Sequence, residues 1–148
     1  MDPTTNGMPR SVTVDPLGVP ARMILLGYYD GPTEGVIQFE SRAVYRFVMP
    51  DEENQLCRQS FPREYVFHPL PTNALDRLEA VLAEHLVPQR PAWYVNWEFE
   101  TPEIECEMAD RVGAILAEAR PAAWLVTVAE TWQFEDFRPI RVVALHAV

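Results

Sequence analysis

The hydrophobic pattern of the chain changes period along its length, and each period predicts a different kind of element. Between Arg22 and Met49 the apolar residues stand in short β-branched and aromatic stretches or alternate with polar ones, which is typical of strands. The turn-forming residues of Asp30–Gly35 and the pair Ser41 and Arg42 interrupt this pattern. We therefore predict a three-stranded meander, with strands at Arg22–Tyr29, Val36–Glu40 and Ala43–Met49.

A helical period follows in the middle of the chain. Apolar residues recur at a spacing of three or four over Asn73–Leu86, which predicts a first helix. Thr101 offers a capping hydroxyl and Pro102 suits the first helical position, so a second helix is predicted to begin there. Its apolar stripe ends before Pro121, which cannot continue a helix.

Strand-like patterns also stand before, between and after these helices. Ala92–Glu100 alternates strictly, with Trp93, Val95, Trp97 and Phe99 on the face predicted to be buried and Tyr94 among the polar residues of the other face. An acidic loop is predicted at Pro50–Asn54. The other predicted strands are Glu64–His68, ended by Pro69, and two last strands at about Ala123–Thr131 and Ile140–His146.

The predicted order is β-β-β-β-α-β-α-β-β, which favours an α+β fold. The strands cluster before and after two helices, so we expect one mixed or mainly antiparallel sheet of six to seven strands. A chain of 148 residues is long enough for one core, which predicts a single domain over residues 22–148. Residues 1–21, rich in proline and glycine, are expected to form an irregular N-terminal arm.

The negative charge of the chain limits the kinds of molecule that it is expected to bind. The formal net charge is −10, every one of the 12 basic residues is arginine, and the acidic excess falls almost wholly after residue 50. Direct nucleic-acid binding needs clustered basic residues, so we expect none. A protein partner with a basic surface suits this charge. With no apolar run of membrane-spanning length and no secretory signal pattern, we expect no membrane association and a cytoplasmic location.

Acidic and aromatic residues of the C-terminal third suggest a binding surface. Helical spacing places Glu103, Glu107 and Asp110 on the face opposite the apolar stripe. Further along, three large rings stand beside two acids in a segment that resembles an interface hot spot. Its candidate residues are Trp132, Phe134, Glu135, Asp136 and Phe137. The alternative for the helix face is a solvated surface, and the alternative for the segment is a buried corner.

A second candidate site surrounds the first turn. Two phenols and two carboxylates could form a pocket with one histidine; these residues are Tyr28, Tyr29, Asp30, Glu34 and His68. The purely structural interpretation is a turn between two strands whose tyrosines pack along the sheet. No sequence motif of a catalytic group, metal site or cofactor site is present, and we predict no catalytic residue, metal or cofactor.

Three functional hypotheses follow from these patterns. The first is a small, acidic, non-catalytic protein-binding module of accessory, regulatory or immunity-like type. The composition is similar to that of bacterial toxin-immunity and accessory proteins, a likeness that identifies no individual residue. The second is a small-molecule-binding or enzymatic domain with a pocket near Tyr28–Asp30. The third is a structural subunit of a larger assembly, with the N-terminal arm contacting a neighbour. The oligomeric state is left open.

Overall fold

One β-sheet carries most of the structure. The computed structural model describes residues 17–58, 62–87, 92–95, 98–128, 137 and 142–147. Within these ranges seven strands and three helices follow one another, which confirms the α+β class. The elements are β1 (Pro20–Tyr28), β2 (Pro32–Phe39), β3 (Val44–Val48), α1 (Glu52–Arg58), β4 (Arg63–Leu70), α2 (Ala74–Leu82), β5 (Ala92–Tyr94), α3 (Pro102–Leu116), β6 (Trp124–Val128) and β7 (Val142–Ala147).

The sheet order is β5-β1-β2-β3-β4-β6-β7. The strands β1 to β4 form the predicted antiparallel meander, extended by one strand. After α2 the chain crosses to the far edge and adds β5 parallel to β1. It then returns through α3 to place β6 antiparallel to β4, with β7 outside it. The strand β1 therefore lies between its sequence neighbour and a strand that comes about 70 residues later.

The predicted acidic loop at Pro50–Asn54 is wrong, because the helix α1 begins at Glu52. Its first turn contains only polar residues, so the sequence shows no apolar period there. Contacts with β4 hold this short helix. The buried side chain of Gln55 donates to the carbonyl oxygens of Pro50 at 2.6 Å and Glu64 at 3.2 Å, and it accepts from the Glu64 amide at 2.9 Å.

Several predicted strand boundaries also differ from the structure. The strand β2 begins at Pro32, inside the predicted turn, because its first residues pair with the end of β1. The strand β1 begins at Pro20, inside the predicted arm. The strand β4 continues through Pro69 to Leu70, because β6 begins opposite Phe67 and no strand on that side needs an amide from Pro69. Within the described part of the predicted strand Ala92–Glu100, the strand β5 spans Ala92–Tyr94 and pairs with β1. Its alternation still holds at Tyr94, which is exposed, and at Val95, which is buried. Trp97 lies outside the described residues.

Each face of the sheet belongs to a different hydrophobic cluster. The cluster on one face, called here the aromatic cluster, contains ring-bearing residues of β2, β3 and β4: Phe39, Phe47, Tyr65 and Phe67 are fully buried in it. The other, called here the helix cluster, joins β1, β2 and β3 to α2 and α3. The helices α2 and α3 therefore cover one face, whereas the aromatic residues fill the other, with Leu56 of α1 packed against them.

A polar link runs through the helix cluster. Arg22 of β1 bonds to two carboxylates of α2, Asp76 at 2.7 Å and the buried Glu79. The side chain of Glu79 is 8% exposed and that of Arg22 is 22% exposed. A buried carboxylate is stable only when it is paired, so this contact fixes the position of α2 on β1.

Glycine substitutions give a matched test of the sheet packing. An added Cβ at Gly35 would lie 2.4 Å from the Ile24 carbonyl oxygen and 2.9 Å from the Phe47 ring, so Gly35→Ala should lower the free energy of unfolding by about 1–3 kcal/mol. Gly113 lies in α3 with nothing near its Cβ position, so Gly113→Ala should raise it by about 0.5–1 kcal/mol. Urea denaturation of both variants measures these changes. Equal changes in the free energy of unfolding would contradict the close contact of Gly35 with Ile24 and Phe47.

Substitution of the polar link tests its role. Arg22→Met leaves Glu79 buried without its arginine, and we expect a loss of about 3 kcal/mol in the free energy of unfolding. The double variant Arg22→Met with Glu79→Leu removes both charges and should recover most of that loss. Chemical denaturation compares the two. A double variant as unstable as the single one would show that packing, not charge, is lost.

Candidate functional site

Three tyrosines form an exposed aromatic surface at one edge of the sheet. Among the described residues, Tyr28, Tyr29 and Tyr94 are three of the four exposed large hydrophobic side chains, with exposed fractions of 43%, 58% and 55%. The rings of Tyr28 and Tyr94 meet edge to face, with centroids 5.6 Å apart. This group is called here the tyrosine patch. Tyr94 lies on β5, where the sheet ends.

The turn that carries Tyr28 and Tyr29 is held from below by two buried side chains. Arg63 donates to the carbonyl oxygens of Tyr29 at 2.6 Å and Pro32 at 3.3 Å. The Tyr65 hydroxyl donates to the same Pro32 oxygen at 2.6 Å. These bonds attach the carbonyls on both sides of the turn to buried side chains of β4. These hydrogen bonds fix the backbone of the turn, so Tyr28 and Tyr29 are held in position without a partner.

Acidic residues of the second predicted site border the patch. Asp30 is exposed in the turn, where its φ of 50° is of the left-handed kind that Asp tolerates. Glu34 lies on β2 and pairs with Arg46 of β3 at 3.8 Å. The structure therefore brings Tyr28, Tyr29 and Asp30 together in one turn, with Glu34 on the strand that follows it.

His68 lies apart from this group. It stands on β4 opposite Arg46, and its Nδ1 is 3.0 Å from the Arg120 carbonyl oxygen, just after α3. That contact links β4 to the chain leaving α3, which gives the imidazole a structural role. His68 is not brought into the tyrosine patch.

The acidic face of α3 is exposed as the helical spacing predicts. Glu103, Glu107 and Asp110 all point to solvent, and Glu107 lies 4.0 Å from Arg111. The predicted start of this helix is confirmed, because the Thr101 hydroxyl accepts from the Ile104 amide at 3.2 Å. Over residues 73–87 and 98–120, which contain both long helices, ten acidic residues stand against three arginines. The helical side of the sheet is therefore strongly negative.

Two of those arginines join each long helix to the residues that follow the other helix. Arg77 makes two bonds to Glu118, at 2.8 and 2.5 Å, and Arg111 makes two to Glu84, at 2.7 and 2.6 Å. Hydrogen bonds from these guanidinium groups lower the pKa of the Glu118 and Glu84 carboxyls. Both pairs are internally neutral, so they add no net positive charge to balance the exposed acids of α3.

The aromatic segment near the C-terminus is described at one position only. Phe137 is half-buried against the aromatic cluster, with a φ of 54°. Trp132, Phe134, Glu135 and Asp136 lie outside the described residues, so an exposed surface there stays a prediction.

Sequence reasoning overlooked Tyr94. The alternation of Ala92–Glu100 put Tyr94 on the polar face, among residues expected to meet solvent. A tyrosine on an outward face is itself a signal, because aromatic residues are enriched at protein interfaces. The sequence pattern alone does not show which residues lie near Tyr94. The parallel pairing of β5 with β1 places it next to Tyr28.

Within the residues that the structure describes, no group of three or more His, Cys, Asp or Glu side chains could hold a metal ion. Over the same residues, no helix is both long and apolar enough to cross a bilayer. No family model, curated protein or solved structure matches the chain.

The two arginine–glutamate pairs give a pH-dependent test of the α2–α3 contact. Because the pKa of each glutamate is lowered in the folded state, each pair stabilises the fold above the ordinary glutamate pKa of about 4.3 and loses its effect as the pH falls through the folded value. The double variant Glu84→Gln with Glu118→Gln should thus unfold more easily than the wild type at pH 7, and the difference should shrink by pH 3. Urea titrations at both pH values measure it; a constant difference would contradict the assignment.

Proposed function

We propose that the protein is a non-catalytic protein-binding module, of accessory or regulatory type, that docks its tyrosine patch on a partner with a basic surface. The single observation that carries this proposal is the exposure of Tyr28 and Tyr94, whose rings are in contact, with the exposed Tyr29 next in the chain, on a braced edge of the sheet. The cytoplasmic location expected from the sequence belongs to the same proposal.

Exposure of three tyrosines in one place favours binding over chance. Isolated exposed apolar residues are ordinary, but adjoining rings are unusual on a surface that has nothing to bind. Tyrosine offers a large apolar face and a hydroxyl that can be satisfied by water or by a partner, and it loses little conformational freedom on binding. Since the Tyr28 and Tyr94 rings are already in contact, these side chains lose less conformational entropy when a partner binds.

Charge indicates the kind of partner. Asp30 follows Tyr29 in the turn and is exposed, and the wider chain carries a net charge of −10. A second copy of the same chain would bring the same negative field and be repelled. A surface rich in arginine or lysine would be attracted, and arginine could also stack on the exposed tyrosine rings.

Affinity capture with matched variants tests the proposal. The immobilised chain is compared with Tyr28→Ser plus Tyr94→Ser, and with the control Val87→Ser, which alters an exposed apolar residue elsewhere. A partner captured by the wild type and the control, but not by the tyrosine variant, is then purified for calorimetry. Each tyrosine substitution alone should weaken its binding by about 2 kcal/mol, or about thirtyfold in Kd.

Two outcomes of this experiment would contradict the proposal. One is identical sets of captured proteins for the wild type and the tyrosine variant. The other is a partner that requires the tyrosines but has an acidic surface and binds more tightly at high salt, where charge repulsion is screened. Circular dichroism of the variants shows whether a loss of binding reflects a loss of fold.

A further inference from the structure

An open cavity of about 530 Å³ lies at the opposite end of β1 from the tyrosine patch. It is bounded by the start of β1, the end of β2 and the start of α2, and its size is within the usual range for small-molecule sites. The lining carries charged and amide side chains from all three elements and from the β2–β3 turn: Arg22, Gln38, Glu40, Arg42, Asn73 and Asp76.

Arg22 cannot serve as the main anion-binding group of this cavity. Its guanidinium already bonds to Asp76 at 2.7 Å, to Gln38 at 3.2 Å and to the buried Glu79. Two carboxylates therefore face one cation, and the group as a whole keeps a negative charge. Asp76 is two-thirds exposed, so it presents that excess charge to the cavity.

Arg42 presents the opposite charge from an unusual backbone position. It ends the turn between β2 and β3, where its amide donates to the Phe39 carbonyl oxygen at 2.8 Å and its φ is 76°. Glycine or asparagine normally occupies such a left-handed position, since other side chains are strained there. Over the residues described, the Arg42 and Glu40 side chains form no ion pair with each other or with a third group. Both charges are therefore available to a ligand.

We infer that this cavity binds a free α-amino acid, with its carboxylate at Arg42 and its ammonium group at Glu40 and Asp76. The cavity wall carries one arginine and one glutamate that form no ion pair with another described residue. A free amino acid offers a carboxylate to the arginine and an ammonium group to the glutamate. Asn73 adds amide hydrogen-bonding groups, because its side chain does not cap α2. The two arginines and three carboxylates, Glu79 included, leave a net charge of −1, so lysine and arginine should bind more tightly than alanine, and alanine more tightly than glutamate.

Titrations of the full chain with single compounds test this inference. L-Arginine, L-lysine, L-alanine and L-glutamate are followed by two-dimensional amide NMR, with acetate and ethylammonium as probes of each half of the ligand. We expect arginine or lysine to shift the amides of the cavity residues with a Kd below about 1 mM, and each half-ligand to bind at least about tenfold more weakly.

Arginine variants separate the site from the overall charge. Arg42→Gln should weaken binding of the preferred amino acid by at least about tenfold, whereas Arg120→Gln, which removes an exposed arginine elsewhere, should leave it unchanged. Arg42→Gly removes the guanidinium, so it should also lose binding. Because glycine adopts the left-handed backbone without strain, this variant should melt at the same or a higher temperature. This last result would show that the arginine is kept for its charge and not for stability.

Several results would overturn the inference. They are the absence of cavity shifts with all four amino acids, equal binding of glutamate and arginine, binding of acetate as tight as that of the amino acids, and equal effects of Arg42→Gln and Arg120→Gln. The tyrosine variants used above should bind amino acids normally, so failure of one proposal is distinguishable from failure of the other.

Discussion

Burial of β1 on both of its faces is the constraint on which the other features depend. Met23 and Leu25 enter the aromatic cluster, while Ile24 and Leu26 enter the helix cluster. A shift of one residue in its pairing would exchange these sets and bury Arg22 among the aromatic rings. The register of β1 with β2 and β5 is therefore strongly specified, and it places the tyrosine patch at one end of the strand and the open cavity at the other.

Arginine does most of the polar linking in this structure. The chain has no lysine, and the planar guanidinium with its several donors suits contacts with two acceptors at once. Arg63 braces a turn, Arg22 joins β1 to α2, and Arg77 and Arg111 join α2 to α3. Since these side chains are committed to the fold, the exposed charge of the helical side is set by its acids.

The sequence predicted those elements whose period is set by contact with a core. The meander, the helix α2 and the capped start of α3 follow from side chains that alternate or recur against one buried surface. Prediction from the sequence failed for elements whose bounds depend on contacts between residues far apart in the chain. The helix α1 depends on Gln55 meeting β4, the passage of β4 through Pro69 depends on where β6 begins, and the short β5 depends on its place beside β1.

The same distinction explains what could be foreseen of the candidate sites. Tyr28, Tyr29 and Asp30 are neighbours in the chain, so composition alone drew attention to them. Tyr94 joins them only through the parallel pairing of β5 with β1. Arg42 and Asp76 line one cavity only because α2 packs over the sheet. Both candidate sites are completed by long-range pairings of β1. The two proposals share one physical reason for expecting positively charged groups on the ligand or partner: the chain carries a net charge of −10, and a negative field attracts cations.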